Sequence, residues 1–220
     1  MTQILYSYIS EEHHPYLLKE IAPRFSNDFQ KKILKYRRWQ DAQLSLLGRV
    51  LLWSSLKKLN KDLCVEDVRY NSYKKPYFEN ENIKFNISHS GNLVVCVITK
   101  NNEVGVDVEV LQDINVEDFK VQMTPLEWQN IISSNNIKNA FFNYWTQKEA
   151  VIKAHGMGLS IPLNSFEVIE NQTKIKEDSF FLTEINLDTN YKCHLASSDK
   201  IDISLIDIKK VDLFMFENNY

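Results

Sequence analysis

IKFNISHSGNLVVCVITKNNEVGVDVEV, residues 83–110, is the stretch whose reading decides the fold. Ile83–Ile87, Leu93–Thr99 and Val104–Val110 are each rich in β-branched residues, and short polar connections separate them. Gly91 permits a tight reversal between the first two. The spacing predicts three strands running as an antiparallel meander.

Upstream, residues 3–9 read as a strand and Lys31–Gln40 as a basic, helix-like stretch with Ile33, Leu34 and Tyr36. Asp41–Leu59 is the clearest helix, because Leu44, Leu47, Val50 and Leu51 recur at helical spacing. Asn71–Asn82 is turn-rich and contains Lys74-Lys75-Pro76. Downstream, Thr124-Pro125-Leu126-Glu127 has the form of a helix start: a capping threonine, a proline at the first helical position and a glutamate that completes a capping box. A second helix is expected over Lys138–His155, stopping at Gly156. Ser165–Ile169, Phe180–Leu187, Tyr191–Ala196 and Ile201–Ile208 read as strands. Helices with a mainly antiparallel sheet on either side of residue 104 predict an α+β fold in two parts, 1–104 and 105–220. No internal sequence repeat links them.

Composition narrows the function classes. The chain has 220 residues, 44% hydrophobic and 25% charged, with five glycines and five prolines, which excludes disordered and fibrous classes. A net charge of -3 argues against a general nucleic-acid binder, which needs a basic field. Cys64, Cys96 and Cys193 are far apart and form no CxxC pair, so free thiols in a reducing compartment are expected rather than a structural zinc site. The N-terminus reads as a strand rather than a signal peptide. The longest strongly apolar run, Leu93–Ile98, is too short to cross a membrane, so a cytoplasmic protein is expected.

Three segments carry chemistry. In Gly105-Val106-Asp107-Val108-Glu109, Asp107 and Glu109 project from one face of a strand. Taken alone, they fit a solvated acidic face; they also fit oxygen ligation of a hard dication such as magnesium. In Trp145-Thr146-Gln147-Lys148-Glu149-Ala150-Val151-Ile152-Lys153, Glu149 and Lys153 share a helix face. They fit a surface ion pair, or a third carboxylate beside a phosphate-binding cation. Phe85-Asn86-Ile87-Ser88-His89-Ser90-Gly91 fits a hairpin turn, or a turn whose Ser88 and His89 donate to phosphate, with Lys75 as a nearby cation. Together they supply what phosphoryl-type transfer requires: metal ligands, cations and a carboxylate that takes a proton. Another magnesium-dependent nucleotide enzyme, such as a hydrolase, and a non-catalytic nucleotide binder are the competing readings.

The order and separations of these three motifs resemble the surfactin-type 4′-phosphopantetheinyl transferases. So do Gly156-x-Gly158-Leu159-Ser160-Ile161-Pro162-Leu163, Asp41-Ala42, Leu46-Leu47-Gly48 and Tyr73-x-Lys75-Pro76. The resemblance implies two similar α+β halves with the active site at their interface. It implies transfer of the 4′-phosphopantetheine arm of coenzyme A to a carrier-protein serine, releasing adenosine 3′,5′-bisphosphate. By the same resemblance, Asp107, Glu109 and Glu149 bind magnesium, and Glu149 and Lys153 are catalytic. Tyr73, Lys75, Ser88, His89, Ser45 and Lys32 hold the nucleotide. Acyl or peptidyl carrier domains are the implied partners, with no nucleic acid or membrane, and a monomer is expected. Residues 110–130 and the turn after Gly158 are expected docking regions, with Met123, Leu126, Met157 and Leu159 as apolar surface or core.

Overall fold

The apolar run at the centre of the opening stretch forms β5 (Leu93–Lys100), buried along its length except at Lys100. The computed structural model, which describes residues 2–59 and 63–212, shows why. Val94, Cys96 and Ile98 face one core, whereas Leu93, Val95 and Val97 face a second. A strand covered on both faces has no call for polar alternation.

β5 pairs antiparallel with β4 (Ile83–Ser90) on one edge and β1 (Thr2–Tyr8) on the other. The strand β10 (Ile206–Lys210) adds to β1 in parallel, giving the order β10-β1-β5-β4. A second four-stranded sheet has the order β6-β9-β8-β7, from β6 (Val104–Val110), β7 (Gln172–Ile175), β8 (Asp178–Glu184) and β9 (Tyr191–Ser197). All its pairings are antiparallel. A small hairpin joins β2 (Val68–Tyr70) to β3 (Pro76–Phe78).

The helices are a single turn α1 (His14–Tyr16), α2 (Asn27–Ile33), α3 (Trp39–Leu59), α4 (Pro125–Ile132) and α5 (Ile137–His155). α3 covers the outer face of the first sheet through Leu47, Val50, Leu51 and their neighbours. α5 covers the outer face of the second through Ala150, Val151 and Ala154. Between the sheets lie Ile4, Val95 and Val97 from one and Val106, Val108 and Leu195 from the other. The result is α+β: two similar halves, each a long helix on a mainly antiparallel four-stranded sheet, with the sheets face to face.

α4 starts as expected, with Thr124 Oγ1 accepting from Glu127 N and Glu127 Oε2 accepting from Thr124 N. α5 ends at Gly156, whose φ of +84° lies in the left-handed region that glycine tolerates. Four expectations are corrected. β6 does not extend a three-strand meander, because the edge of β5 that it would need is taken by β1. Helix in the basic stretch is confined to Asn27–Ile33, and residues 34–38 turn before α3 begins. Ser165–Ile169 forms no strand; only Ile169 bridges, to Gln172, and the unpredicted β7 follows. Residues 201–205 are also outside any strand, and β10 begins only at Ile206.

Candidate active site

The site is built where an edge of each sheet meets the other. β4 and β6 are both edge strands, and no backbone ladder joins them. Side chains do so instead. Asn86 Oδ1 accepts from Val106 N at 3.0 Å, Ser88 Oγ from Val108 N at 3.3 Å and Ser90 Oγ from Val110 N at 3.2 Å. The offset is 20 residues each time, so the strands run side by side in the same direction. The alternation of β4 explains this face: Phe85 and Ile87 go to the α3 core, leaving Asn86, Ser88 and Ser90 to meet β6.

The opposite face of β6 is set by Gly105. A Cβ there would lie 2.2 Å from Ala150 O and 2.3 Å from Ala154 N, so only glycine lets the strand lie against the backbone of α5. That contact brings Asp107 and Glu109 to Glu149 and Lys153. Asp107 is 3% exposed; its Oδ1 accepts from Lys153 Nζ at 2.5 Å and from Ser88 Oγ at 3.1 Å, while the buried Oδ2 has no partner. Glu109 Oε2 accepts from Ser90 Oγ at 2.6 Å. Lys153 Nζ also donates to Ser88 Oγ at 2.9 Å.

Burial pushes the carboxyl of Asp107 up, against the pull of Lys153. Burial, with Asp107 adding to it, raises Glu109, and burial together with Asp107 and Glu109 raises Glu149. Three carboxylates therefore repel one another, with one ammonium between them. The donor set is all oxygen, and one carboxylate oxygen is buried without a partner, which fits a hard dication. As the side chains stand, no group of three His, Cys, Asp or Glu among the described residues is arranged to hold a metal. The ammonium of Lys153 occupies one oxygen of Asp107.

The residues expected to hold a nucleotide do not form one cluster. Tyr73 and Lys75 line a cleft of about 220 Å³ with Asn86, Glu149, Lys153 and Gly158. Lys32, Ser45 and His89 line a second cleft, of about 380 Å³, with Tyr36, Arg49 and Tyr70. Ser88 lies between, 5% exposed, and its single proton and both lone pairs are committed to Asp107, Lys153 and Val108. As placed, its hydroxyl has no capacity left for a phosphate. Lys75 is also engaged: its Nζ donates to Glu103 Oε2 at 2.7 Å and to Ala154 O at 2.5 Å, and Lys84 takes the other oxygen of Glu103. Desolvation lowers the Lys75 pKa, and Glu103 opposes it. Desolvation, then Lys153, lowers that of His89. Of the expected docking residues, Leu126 and Leu159 are exposed, Met157 is half-buried and Met123 is buried.

Sequence reasoning left several residues of the site without a role. Lys148, beside Glu149, is fully buried; it pairs with Glu127 at 2.8 Å and donates to Leu163 O and Phe166 O. The turn at 71–75 is tied to the end of α5, where Asn71 Nδ2 donates to Gly156 O at 3.0 Å. Asn86 and Ser90 carried a signal: polar residues alternating with apolar ones in a strand next to a buried one need partners.

The family described as "4'-phosphopantetheinyl transferase, N-terminal" matches residues 13–101, and that described as "4'-phosphopantetheinyl transferase superfamily" matches residues 103–205. The chain is similar to "4'-phosphopantetheinyl transferase gsp" of Aneurinibacillus migulanus, 32% identical over 209 residues, 90% of this chain and 86% of that one. It is also similar to "4'-phosphopantetheinyl transferase Sfp" of Bacillus subtilis (strain 168), 30% identical over 165 residues, 73% of this chain and 71% of that one. A solved holo-[acyl-carrier-protein] synthase of Thermotoga maritima covers 43% of this chain and 61% of its own, at 16% identity and a TM-score of 0.38, too low to bear on the fold. With each half matched in order by its own family and one relative aligned along 90% of this chain, the chain belongs to the 4′-phosphopantetheinyl transferase superfamily, among the Sfp-type members.

Proposed function

We propose that this enzyme transfers the 4′-phosphopantetheine group of coenzyme A to a serine of an acyl or peptidyl carrier protein, releasing adenosine 3′,5′-bisphosphate. The observation that carries this is the convergence of Asp107, Glu109, Glu149 and Lys153 between the two halves, in a chain whose relatives are named as such transferases. Those names do not favour the competing hydrolase. The division into residues 1–104 for the nucleotide and 105–220 for metal and catalysis belongs to this proposal, with β10 returning to the first sheet.

Asp107, Glu109 and Glu149 would hold magnesium, which supplies charge neutralisation for the acidic cluster and the pyrophosphate. The nucleotide lies along β4 between the two clefts, with Tyr73 and Lys75 at one and Ser45, His89 and Lys32 at the other; Ser88 sits beneath. Glu149 takes the proton of the incoming serine, since a carboxylate raised by burial and by its acidic neighbours is a stronger base than a solvated one. Lys153 stabilises negative charge on the leaving bridging oxygen, an electrostatic contribution typical of such transfers. One chain contains every one of these groups, which supports a monomer. No helix among the described residues is long and apolar enough to cross a membrane.

Mass spectrometry of an apo carrier, incubated with the enzyme, coenzyme A and magnesium, tests the reading. A gain of one phosphopantetheine is expected. Consumption of coenzyme A with an unmodified carrier would identify a hydrolase, and neither change would leave a binding protein.

A further inference from the structure

We propose that Ser90 is a positioning residue, holding the carboxylate of Glu109 in the orientation from which it serves the metal. This rests on the reading of Glu109 given above.

A serine hydroxyl has one proton to donate and two lone pairs. Val110 N–H takes one lone pair of Ser90, at 3.2 Å. Its proton goes to Glu109 Oε2, at 2.6 Å. The same arrangement repeats one step back along the seam. Ser88 accepts from Val108 N and donates to Asp107 Oδ1. It stops one step earlier still, where Asn86 accepts from Val106 N and the residue before Val106 is Gly105, which has no side chain to receive a proton.

Each serine thus couples a carboxylate to the backbone of the next residue on β6. A long side chain such as glutamate has several rotamers, and one short bond from a strand-anchored hydroxyl selects among them. Asp107 has the ammonium of Lys153 as a second, charged anchor, whereas the other side-chain partner of Glu109 is the neutral Trp145. Ser90 is therefore the serine whose loss Glu109 should feel most. Hydroxyls that orient a metal-binding carboxylate commonly account for about 10- to 100-fold in metal affinity.

Mn2+ titrated into the full chain with coenzyme A present, with free Mn2+ read by electron paramagnetic resonance, tests this without relying on turnover. S90A is expected to bind Mn2+ about 10-fold more weakly than wild type. S90T keeps a hydroxyl at a half-buried position and should retain most of the affinity. If S90A proves unstable, S90C takes its place, with the same loss expected. Wild-type affinity in S90A or S90C, an equal loss in S90T, or no Mn2+ binding by wild type would overturn the proposal. A wild type that binds Mn2+ but modifies no carrier would instead sink the transferase reading and leave the role of Ser90 standing.

Discussion

The ammonium of Lys153 lies 2.5 Å from Oδ1 of Asp107, while Oδ2 of the same carboxylate is buried with no partner. The pair spans the contact between α5 and β6 that Gly105 makes possible, and Lys153 also lines the cleft that holds Tyr73, Lys75 and Glu149.

Lys153→Met should lower the single-turnover transfer rate at saturating coenzyme A, carrier and magnesium by about 100- to 1000-fold, as loss of preorganised charge stabilisation commonly does. Glu149→Gln should still bind coenzyme A and transfer poorly. Near-wild-type rates in both would confine Lys153 to its structural pairing with Asp107 and remove Glu149 from the chemistry. Rescue of Glu149→Gln by excess magnesium alone would assign Glu149 to the metal and remove it as the base.

Lys75 meets Glu103 and the last turn of α5, so its effect on coenzyme A should pass through the position of the 71–75 turn. Glu103→Gln, although Glu103 does not line the cleft, should then weaken coenzyme A binding in the same direction as Lys75→Met. About 10-fold is expected for each, the loss of a charged hydrogen bond of about 1.5 kcal/mol. Calorimetry decides: a silent Glu103→Gln beside a weakened Lys75→Met would make Lys75 a direct phosphate contact.

The buried pair of Lys148 and Glu127 ties α4, α5 and the 163–168 segment together, since Glu127 also accepts from Thr124 N and Val168 N. Lys148→Met alone should cost about 3–5 kcal/mol in denaturant unfolding, because it strands a buried carboxylate. Adding Glu127→Leu should recover only part, as Thr124 N and Val168 N lose their acceptor. Simple additivity of the two losses would mean that the charges are not coupled.

His194 is buried beside Thr146 and Gln147, and burial lowers its pKa from about 6.5 to about 4. The unfolded chain therefore takes up this proton first as pH falls. The neutral imidazole contributes nothing adverse above pH 6.5, and stability is lost progressively between pH 6.5 and 4. A shift of this size corresponds to about 3 kcal/mol. Urea unfolding of His194→Gln should show a flatter pH dependence across that window; an unchanged slope would exclude the histidine as its source.

Much of this fold is legible in the sequence where the determinants are local. The capping box at Thr124 and Glu127 and the glycine after His155 fixed the ends of two helices to within a residue or so. What was missed depends on partners remote in sequence. Nothing near Val104 signals that the edge of β5 is already held by β1, so β6 reads as a third meander strand. Ser165–Ile169 is apolar enough for a strand, yet Leu163 O and Phe166 O are drawn to Lys148. In the candidate site, the motifs and the resemblance grouped Asp107, Glu109, Glu149 and Lys153, which β6 and α5 bring near one another. The seam that holds them could not be read in the same way, because its hydrogen bonds cross 20 residues and two sheets.

The parallel pairing of β1 with β10 has a consequence for synthesis in the cell. Gln3 bonds to Asp207 and Ser7 to Val211, partners 204 residues apart. The first half therefore leaves the ribosome with one flank of β1 bare, and that flank stays open while the rest of the chain is translated. An unpaired strand edge is a template for association with other chains. Until β10 arrives, the nascent polypeptide is a natural client for a chaperone, and substitutions in β10 should show first as poor yield rather than poor turnover.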